Sequence, residues 1–236
     1  MQEKVLRLRH TKQGPEHPDT LSAIQNLANS YTTAGRLEEA LELEEEVLRL
    51  RRKKLGPEHP DTLSSMQNLA VSYKTAGRLE EALRMQEEVL RLRREKLGPE
   101  HPDTLSAIQN LAICYWDAGR LEEALELEEE VLRLRRKKLG PEHPDTLMAM
   151  QNLVFSYQSA DRLEEALGLE KELLQLRREK LGPEHPDTVE AMVDLAFFCS
   201  ETGRLEEALG LEEEVLRLRR AKLGPDHPET LGSMGS

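Results

Sequence analysis

Residues 14–20 read Gly-Pro-Glu-His-Pro-Asp-Thr, and this stretch decides the fold because it returns at a constant interval. The same seven residues begin again at Gly56, Gly98, Gly140 and Gly182, and a variant with Glu and Asp exchanged begins at Gly224. Each copy starts 42 residues after the copy before it. A fixed period of this length is typical of proteins built from stacked structural repeats.

The period divides the chain into five complete repeats with a partial repeat at each end. The complete repeats are residues 20–61, 62–103, 104–145, 146–187 and 188–229. We expect residues 1–19 to be the second helix of a preceding repeat with its loop. We expect residues 230–236 to be the start of a further repeat that ends in a vector-like tail, Gly-Ser-Met-Gly-Ser. The sequence therefore predicts a piece of a longer array.

The first half of each repeat has the pattern of an amphipathic helix. In the first repeat an apolar stripe at helical spacing consists of Leu21, Ile24, Leu27, Ala28 and Tyr31. Pro18 suits the first turn of such a helix, where its missing N–H group is not needed. Gly35 suits the helix end, because glycine adopts the left-handed conformation easily.

The second half of the repeat predicts another helix, from about Arg36 to Lys54. Its apolar residues are Leu37, Ala40, Leu41, Leu43, Val47, Leu48 and Leu50. Its glutamates come first and its arginines and lysines last, which complements the helix dipole. We interpret these charges as a solvated outer face, with a basic binding strip as the alternative. Two such helices cannot bury all their apolar residues alone, so the sequence predicts an all-α solenoid of antiparallel helix pairs.

The first repeat resembles the tetratricopeptide repeat (TPR) family. The places of its signature are held by Ile24, Leu27-Ala28, Tyr31 and Ala40. Glu44 replaces the aromatic residue of the second helix, and Arg52 replaces the proline that usually ends it. The resemblance implies a right-handed superhelical solenoid whose first helices line a concave groove. The longer second helix and the Gly-Pro-Glu-His-Pro-Asp loop are similar to the repeats of kinesin light chains and of NB-ARC-type signalling ATPases. Both resemblances imply protein recognition.

The repeats differ from one another mainly on one face of their first helices. Offsets of three and four place these variable positions together, opposite the apolar stripe. The same face carries a repeated Gln-Asn pair whose amides can bond the backbone of an extended peptide. We therefore predict that a partner binds to Gln67, Asn68, Val71, Lys74, Gln109, Asn110, Ile113, Trp116, Asp117, Gln151, Asn152, Phe155 and Gln158. The alternative is that the larger apolar residues, with Phe197, pack between neighbouring first helices.

Four residues depart from the repeat pattern in the fourth and fifth repeats. Val154 replaces the small alanine and Asp161 replaces the helix-ending glycine, while Asp194 replaces asparagine and Cys199 replaces tyrosine. We interpret these departures as a sign of irregular packing towards the C-terminal end.

The sequence favours a binding function over a catalytic one. Each Glu-His-Pro-Asp segment lies in its own loop, so ligands from different copies could not meet at one metal ion. Cys114 and Cys199 have no histidine or basic cluster beside them in the sequence, and we expect buried thiols. We therefore expect no catalytic residue, no metal and no cofactor.

Composition restricts the class of partner and the compartment. The formal net charge of −12 argues against nucleic acid, because binding phosphates requires a cationic surface. No segment approaches the ~20 apolar residues of a membrane span. Without a disulfide framework, a cytoplasmic protein is the better interpretation.

Three functions remain open after these exclusions. The first is a scaffold that binds a peptide or protein segment in the groove. The second is a structural spacer that self-associates, and the third is the sensing arm of a larger NB-ARC-type ATPase. Because no polar cap is visible at either end, we also predict weak head-to-tail association. Its apolar surfaces would be residues such as Val5, Leu6 and Leu8 at one end and Leu209, Leu211 and Val215 at the other.

Overall fold

The protein is described by a computed structural model, which covers Arg9 and residues 11–232 except for the side chains of Glu229 and Leu231. No strand occurs in these ranges. The helices after residue 17 are α1 (Pro18–Thr33), α2 (Leu37–Leu55), α3 (Pro60–Thr75), α4 (Leu79–Leu97), α5 (Pro102–Asp117), α6 (Leu121–Leu139), α7 (Pro144–Ser159), α8 (Leu163–Leu181), α9 (Pro186–Glu201), α10 (Leu205–Leu223) and α11 (Pro228–Gly232). The predicted all-α architecture of consecutive helix pairs is confirmed.

The described residues form two compact units, whose boundary lies between Leu127 and Glu128, within α6. In the first unit, helices α1 to α5 each pack on the next, and in the second unit α7 to α11 do the same. The predicted helix at the N-terminus, with Val5, Leu6 and Leu8, lies almost wholly outside the described residues, as do residues 233–236 of the tail.

The histidine of each repeated loop begins the helix that follows it. His17 is the N-cap of α1, and its Nδ1 atom accepts a hydrogen bond of 3.2 Å from the backbone N–H of Asp19. The same bond measures 3.1 to 3.2 Å at His59, His101, His143 and His185. The cap satisfies an N–H group that has no partner within the helix, and the following Pro and Asp suit the first turn. The histidine therefore has a structural role in these loops.

Glycine with positive φ ends the first helix in most repeats. Gly35 follows α1 with φ of 75°, as the sequence predicts. In the fourth repeat Asp161 takes this place with φ of 59°, which makes it the only non-glycine residue with positive φ in the described ranges. A side chain in this conformation costs free energy that glycine avoids.

Small residues allow the two helices of a repeat to approach closely. Ala28 and Ala40 are completely buried, and each corresponding alanine of the next two repeats is buried too. Val154, which replaces the first of these alanines in the fourth repeat, is also buried. Cys114 and Cys199 are buried free thiols, as predicted, and burial raises the pKa of both.

The basic ends of the second helices hold neighbouring loops, and they are not only a solvated face. Arg51 donates a 3.0 Å hydrogen bond to the carbonyl oxygen of Asp61 in the first turn of α3. Lys54 donates a 2.8 Å bond to the carbonyl oxygen of Glu16, in the loop before its own repeat. The equivalent arginine and lysine bonds recur in later repeats through Arg93, Arg135, Arg177, Lys96, Lys180 and Lys222. Two helical turns beyond the ordinary TPR length thus serve to connect repeats.

Candidate functional site

Apolar residues at one position of successive first helices point away from the core. Val71 on α3, Ile113 on α5 and Phe155 on α7 are exposed, and Phe155 has the largest exposed fraction, 66%. Phe197, at the same position on α9, is 47% exposed and meets Phe198 edge to face at 5.6 Å between ring centres. About half of the surface of Phe197 is therefore buried, and about half is open to water. Trp116 is only half-buried, one turn further along α5.

Some predicted polar residues already have partners inside the protein. The Nζ atom of Lys74 lies 3.0 Å from a carboxylate oxygen of Asp117, and this ion pair joins α3 to α5. The amide oxygen of Gln67 accepts a 2.9 Å hydrogen bond from Arg93 on α4. In contrast, Asn68 on α3 is exposed.

The amide positions differ in exposure between the repeats. Gln109 and Asn110 on α5 are half-buried, whereas Gln151 and Asn152 on α7 are exposed. An exposed amide keeps donors and acceptors for a partner, and a half-buried one keeps fewer. Of these two pairs of predicted amide residues, the pair on α7 is therefore more exposed to solvent.

The second unit has a cleft of about 410 Å³ between α7, α8 and α9. Its lining residues are Gln151, Val154, Phe155, Gln158, Glu170, Asp194, Phe197 and Phe198. Three of these, Gln151, Phe155 and Gln158, belong to the predicted binding residues. The cleft thus combines aromatic rings, amides and two carboxylates on one surface.

Glu170 lies at the bottom of this cleft and is 2% exposed. Its Oε1 atom has no hydrogen-bond partner within the described part of the chain. Burial and, after it, the charge of Asp194 raise the pKa of Glu170 to about 7, against the weaker opposing effect of Arg177. A buried carboxylate oxygen without a partner is costly, so this oxygen atom favours a donor or a cation beside it.

Asp194 reaches the same cleft from α9, and it is more exposed than Glu170. Partial burial and the neighbouring Glu190 raise its pKa, which Arg177 lowers. Arg177 itself donates a 3.0 Å hydrogen bond to the carbonyl oxygen of Asp187. The negative charge of Asp194 opposes ionisation of Glu170.

The first repeat shows what Glu170 lacks. Glu44 occupies the same place on α2, where its Oε1 atom accepts a 3.1 Å hydrogen bond from Gln25. Ser72 on α3 also bonds Glu44, and both bonds counter the upward effect of burial on its pKa. In the fifth repeat, Phe198 occupies the position that Ser72 has in the second repeat. The side chain beside Glu170 is therefore a phenyl ring, whereas the one beside Glu44 carries a hydroxyl group.

Two protein-family models, both described as tetratricopeptide repeat, match this chain of stacked helix pairs. One matches residues 45–95, 75–137 and 145–221, and the other matches residues 20–61. The chain belongs to the tetratricopeptide repeat family. In the described ranges of this TPR array, no group of three or more His, Cys, Asp or Glu side chains could hold a metal ion.

Solved structures show similar TPR arrays. The nearly identical repeats assigned to a kinesin light chain of Podosopora anserina are 33% identical, over 87% of this chain and 97% of that one, with a TM-score of 0.70. BtubC from P. vanneervenii is 22% identical, over 96% and 89% of the two chains, with a TM-score of 0.64. YrrB, described as a TPR protein with an unusual peptide-binding site, is 16% identical over 100% of both chains, with a TM-score of 0.53.

The likeness to BtubC and YrrB concerns the TPR fold alone, because the identities are low. No curated protein matches the chain in sequence. Among the described residues, no helix combines the length and apolar character that crossing a bilayer requires.

Sequence reasoning missed the acidic part of this TPR cleft. Glu170 and Asp194 were not among the predicted binding residues, and Phe198 received no role. Two signals were present in the repeat pattern, namely a glutamate at the place of the TPR signature aromatic and an aspartate at the place of the repeated asparagine. The repeat register puts them on adjacent helices, but only the folded geometry brings both to one cleft.

Proposed function

We propose that this TPR chain is a scaffold that binds an extended peptide or protein segment on the exposed faces of its first helices. The observation that carries the proposal is the exposure of Phe155 and Phe197 on consecutive first helices, at 66% and 47% of their surfaces, beside an open cleft. Large apolar side chains in contact with water are a usual mark of a binding surface, and aromatic residues are frequent among those that dominate affinity.

Exposed amides beside these rings support binding of a main chain. Gln151 and Asn152 precede Phe155 by four and three positions on the same helix, so all three share one side of α7. An amide both donates and accepts, and it can pair with the N–H and C=O groups of a segment of any sequence. Rings provide affinity in this arrangement, and amides hold the backbone.

Selection of peptides from a displayed random library tests the proposal. We compare the natural chain with a double variant, Trp116→Thr with Phe155→Asn, whose new residues are those of the first repeat at the same positions, Thr32 and Asn29. Selected peptides should bind the variant at least ~10-fold more weakly, the usual effect of removing dominant contact residues.

A third variant controls for a general effect of surface change. Met148 is exposed on α7 but does not line the cleft, and Met148→Ser introduces the residue of the first three repeats. This variant should bind as the natural chain does. Equal affinity of the double variant and the natural chain would contradict the proposed surface.

The exposure of one helix favours self-association as a second candidate function. Leu209 on α10 is 59% exposed, whereas Leu41 and Leu167 at the same position are 1% and 2% exposed. In each earlier repeat this position is part of the core. An apolar surface of this kind can be covered by another molecule, which would make the chain an assembly module.

A further inference from the structure

We infer that the cleft between α7 and α9 receives a lysine or arginine side chain of the bound segment, which places its charge against Asp194 and Glu170 and its alkyl part along Phe155 and Phe197. This inference rests on the proposed binding function and names the chemistry that one subsite selects. The rest of the segment can have any sequence that the remaining surface accepts.

The buried carboxyl group of Glu170 is the first reason. It is 2% exposed, it lines the cleft, and its Oε1 atom has no hydrogen-bond partner among the described residues. Its counterpart Glu44 also has one oxygen without a partner, Oε2, but it receives hydrogen bonds from Gln25 and Ser72. Because Phe198 replaces the serine, the site keeps a carboxyl group and loses one of these two donors. A donor from outside the chain completes the arrangement.

The balance of charge selects a cation as that donor. The groups that act on Glu170 are Asp194 and Glu190 from α9, which oppose its ionisation, and Arg177 from α8, which favours it. Arg177 is buried and bonds the backbone of Asp187, and its charge leaves the pKa of both cleft carboxyl groups raised. A second positive charge is therefore favourable here, and an anion is repelled.

Exposure decides which carboxylate the cation meets. Asp194 is exposed and can contact an ammonium or guanidinium group directly. Glu170 is almost fully buried in the same cleft, and it strengthens the attraction through its charge. Binding of the cation should lower the pKa of Glu170 and release a proton between pH 6 and about 8, so affinity should rise with pH.

The phenylalanine rings that line the cleft explain why the cation should belong to a long side chain. Phe155 and Phe197 present ring surface on the cleft, and lysine and arginine cover such surface with their methylene groups while their charge stays near polar partners. A cation over an aromatic ring is attracted by the ring itself. The chain already uses such a contact, since the guanidinium carbon of Arg162 lies 4.8 Å from the ring centre of Tyr157. A bare metal ion would not use the rings.

Peptide selection with matched variants provides the first test. Asp194→Asn restores the asparagine of the other four repeats, and Glu170→Gln introduces the residue that Gln86 supplies at the same buried place, so both variants should fold. Peptides selected by the natural chain should share a lysine or arginine at one position. Each variant should bind those peptides ~10-fold more weakly, and replacing the peptide's basic residue by glutamine should remove the difference. Glu44→Gln, the same change in the first repeat, should have no effect.

A second measurement does not depend on selected peptides. N-acetyl-arginine methylamide and N-acetyl-lysine methylamide are titrated at millimolar concentrations into the natural chain, and carboxyl carbon resonances are followed by NMR. Saturable shifts at Asp194 and Glu170, absent with N-acetyl-glutamine methylamide, are the expected result. Absence of these shifts overturns the inference.

The two tests separate this inference from the proposed function. Peptides that bind the natural chain, share no basic residue and bind both variants equally would leave the scaffold function intact and overturn the basic subsite. If no peptide is selected, the scaffold proposal fails, and the titration alone decides whether the cleft binds a cation.

Discussion

The phenol group of Tyr157 donates a 2.7 Å hydrogen bond to a carboxylate oxygen of Glu129, which lies 28 positions earlier on the preceding second helix. Tyr73 and Tyr115 make the same bond to Glu45 and Glu87. Between the fourth and fifth repeats both positions change, because Cys199 stands in place of the tyrosine and Lys171 in place of the glutamate.

Lys171 forms a different contact, with its Nζ atom 2.7 Å from a carboxylate oxygen of Glu207. A lysine side chain cannot accept the hydrogen bond that the tyrosine hydroxyl group donates. The change from glutamate to lysine is therefore consistent with the change from tyrosine to cysteine. The link between repeats is kept by an ion pair instead of a hydrogen bond.

Replacing Tyr157 by phenylalanine should lower the free energy of unfolding by about 1 kcal/mol, since one hydrogen bond to a charged acceptor is lost while the ring remains packed. Urea denaturation measures the change. A double-mutant cycle with Glu129→Gln isolates the pair, and a coupling energy of zero would show that the contact contributes nothing to stability.

Replacing Trp116 and Phe155 together by alanine should weaken partner binding and leave stability nearly unchanged. Phe155 is 66% exposed and Trp116 half-buried, so truncation removes less buried surface than at a core aromatic residue, where it costs ~3–5 kcal/mol. Thermal unfolding of the double variant checks this expectation. A fall in the melting temperature as large as that of Leu69→Ala, a fully buried control, would mean that both rings belong to the core.

Replacing Glu170 by glutamine should stabilise the protein at pH 8 and have a smaller effect at pH 5. Burial and then Asp194 raise the pKa of Glu170 to about 7 in the folded chain, above about 4.3 in an unfolded one. The folded state thus binds the proton more tightly, and the stability gained in this way is complete below about pH 4.3 and lost as pH rises through 7.

The gain at pH 8 is at most about 4 kcal/mol, from the size of this pKa difference. Denaturation at several pH values measures it, with the exposed Glu213→Gln as the matched control. A stability difference that does not vary between pH 5 and 8 would show that Glu170 is not held in its protonated form by burial.

Replacing Leu209 by glutamate should reduce concentration-dependent association of the chain. The side chain is 59% exposed on α10, and a charge there is unfavourable in any apolar contact with a second molecule. Two different ends that meet form a heterologous contact, so we expect a series of larger species and not a closed dimer. Sedimentation velocity at increasing concentration measures this, with the exposed Leu139→Glu as control. A strictly monomeric natural chain would contradict the prediction.

The helices of this protein follow from its sequence because each local signal agrees with the packing. His-Pro-Asp begins a helix, glycine ends one, and the apolar stripes with Ala28 and Ala40 fit one helix pair against another. Because the sequence repeats every 42 residues, the same signals specify a similar helix pair in each repeat. Repetition made the boundaries reliable, since the predicted second helix, Arg36–Lys54, differs from the observed Leu37–Leu55 by one residue at each end.

The cleft was less accessible to sequence reasoning because it depends on exceptions to the repeat. Phe155 was chosen for its size and variability, but the cleft around Glu170 is formed by residues of three consecutive helices from two repeats. Glu44 and Glu170 are both buried, and the residue beside each of them in the next repeat decides whether a hydroxyl donor is present, with serine beside Glu44 and phenylalanine beside Glu170. A pattern read one repeat at a time does not contain this information.

The bonds made by the basic end of each second helix determine where the array can be divided. Arg51 bonds the first turn of α3 ahead of it, and Lys54 bonds the loop that precedes α1. Because Glu16 and Lys54 lie on opposite sides of the turn at Ala34 and Gly35, a cut at this turn breaks the second bond, and a cut in the loop between α2 and α3 breaks the first. A fragment that keeps both bonds of α2 must run at least from Glu16 to Asp61, so fragments designed for exchange between arrays should carry the loop on each side of their helix pair.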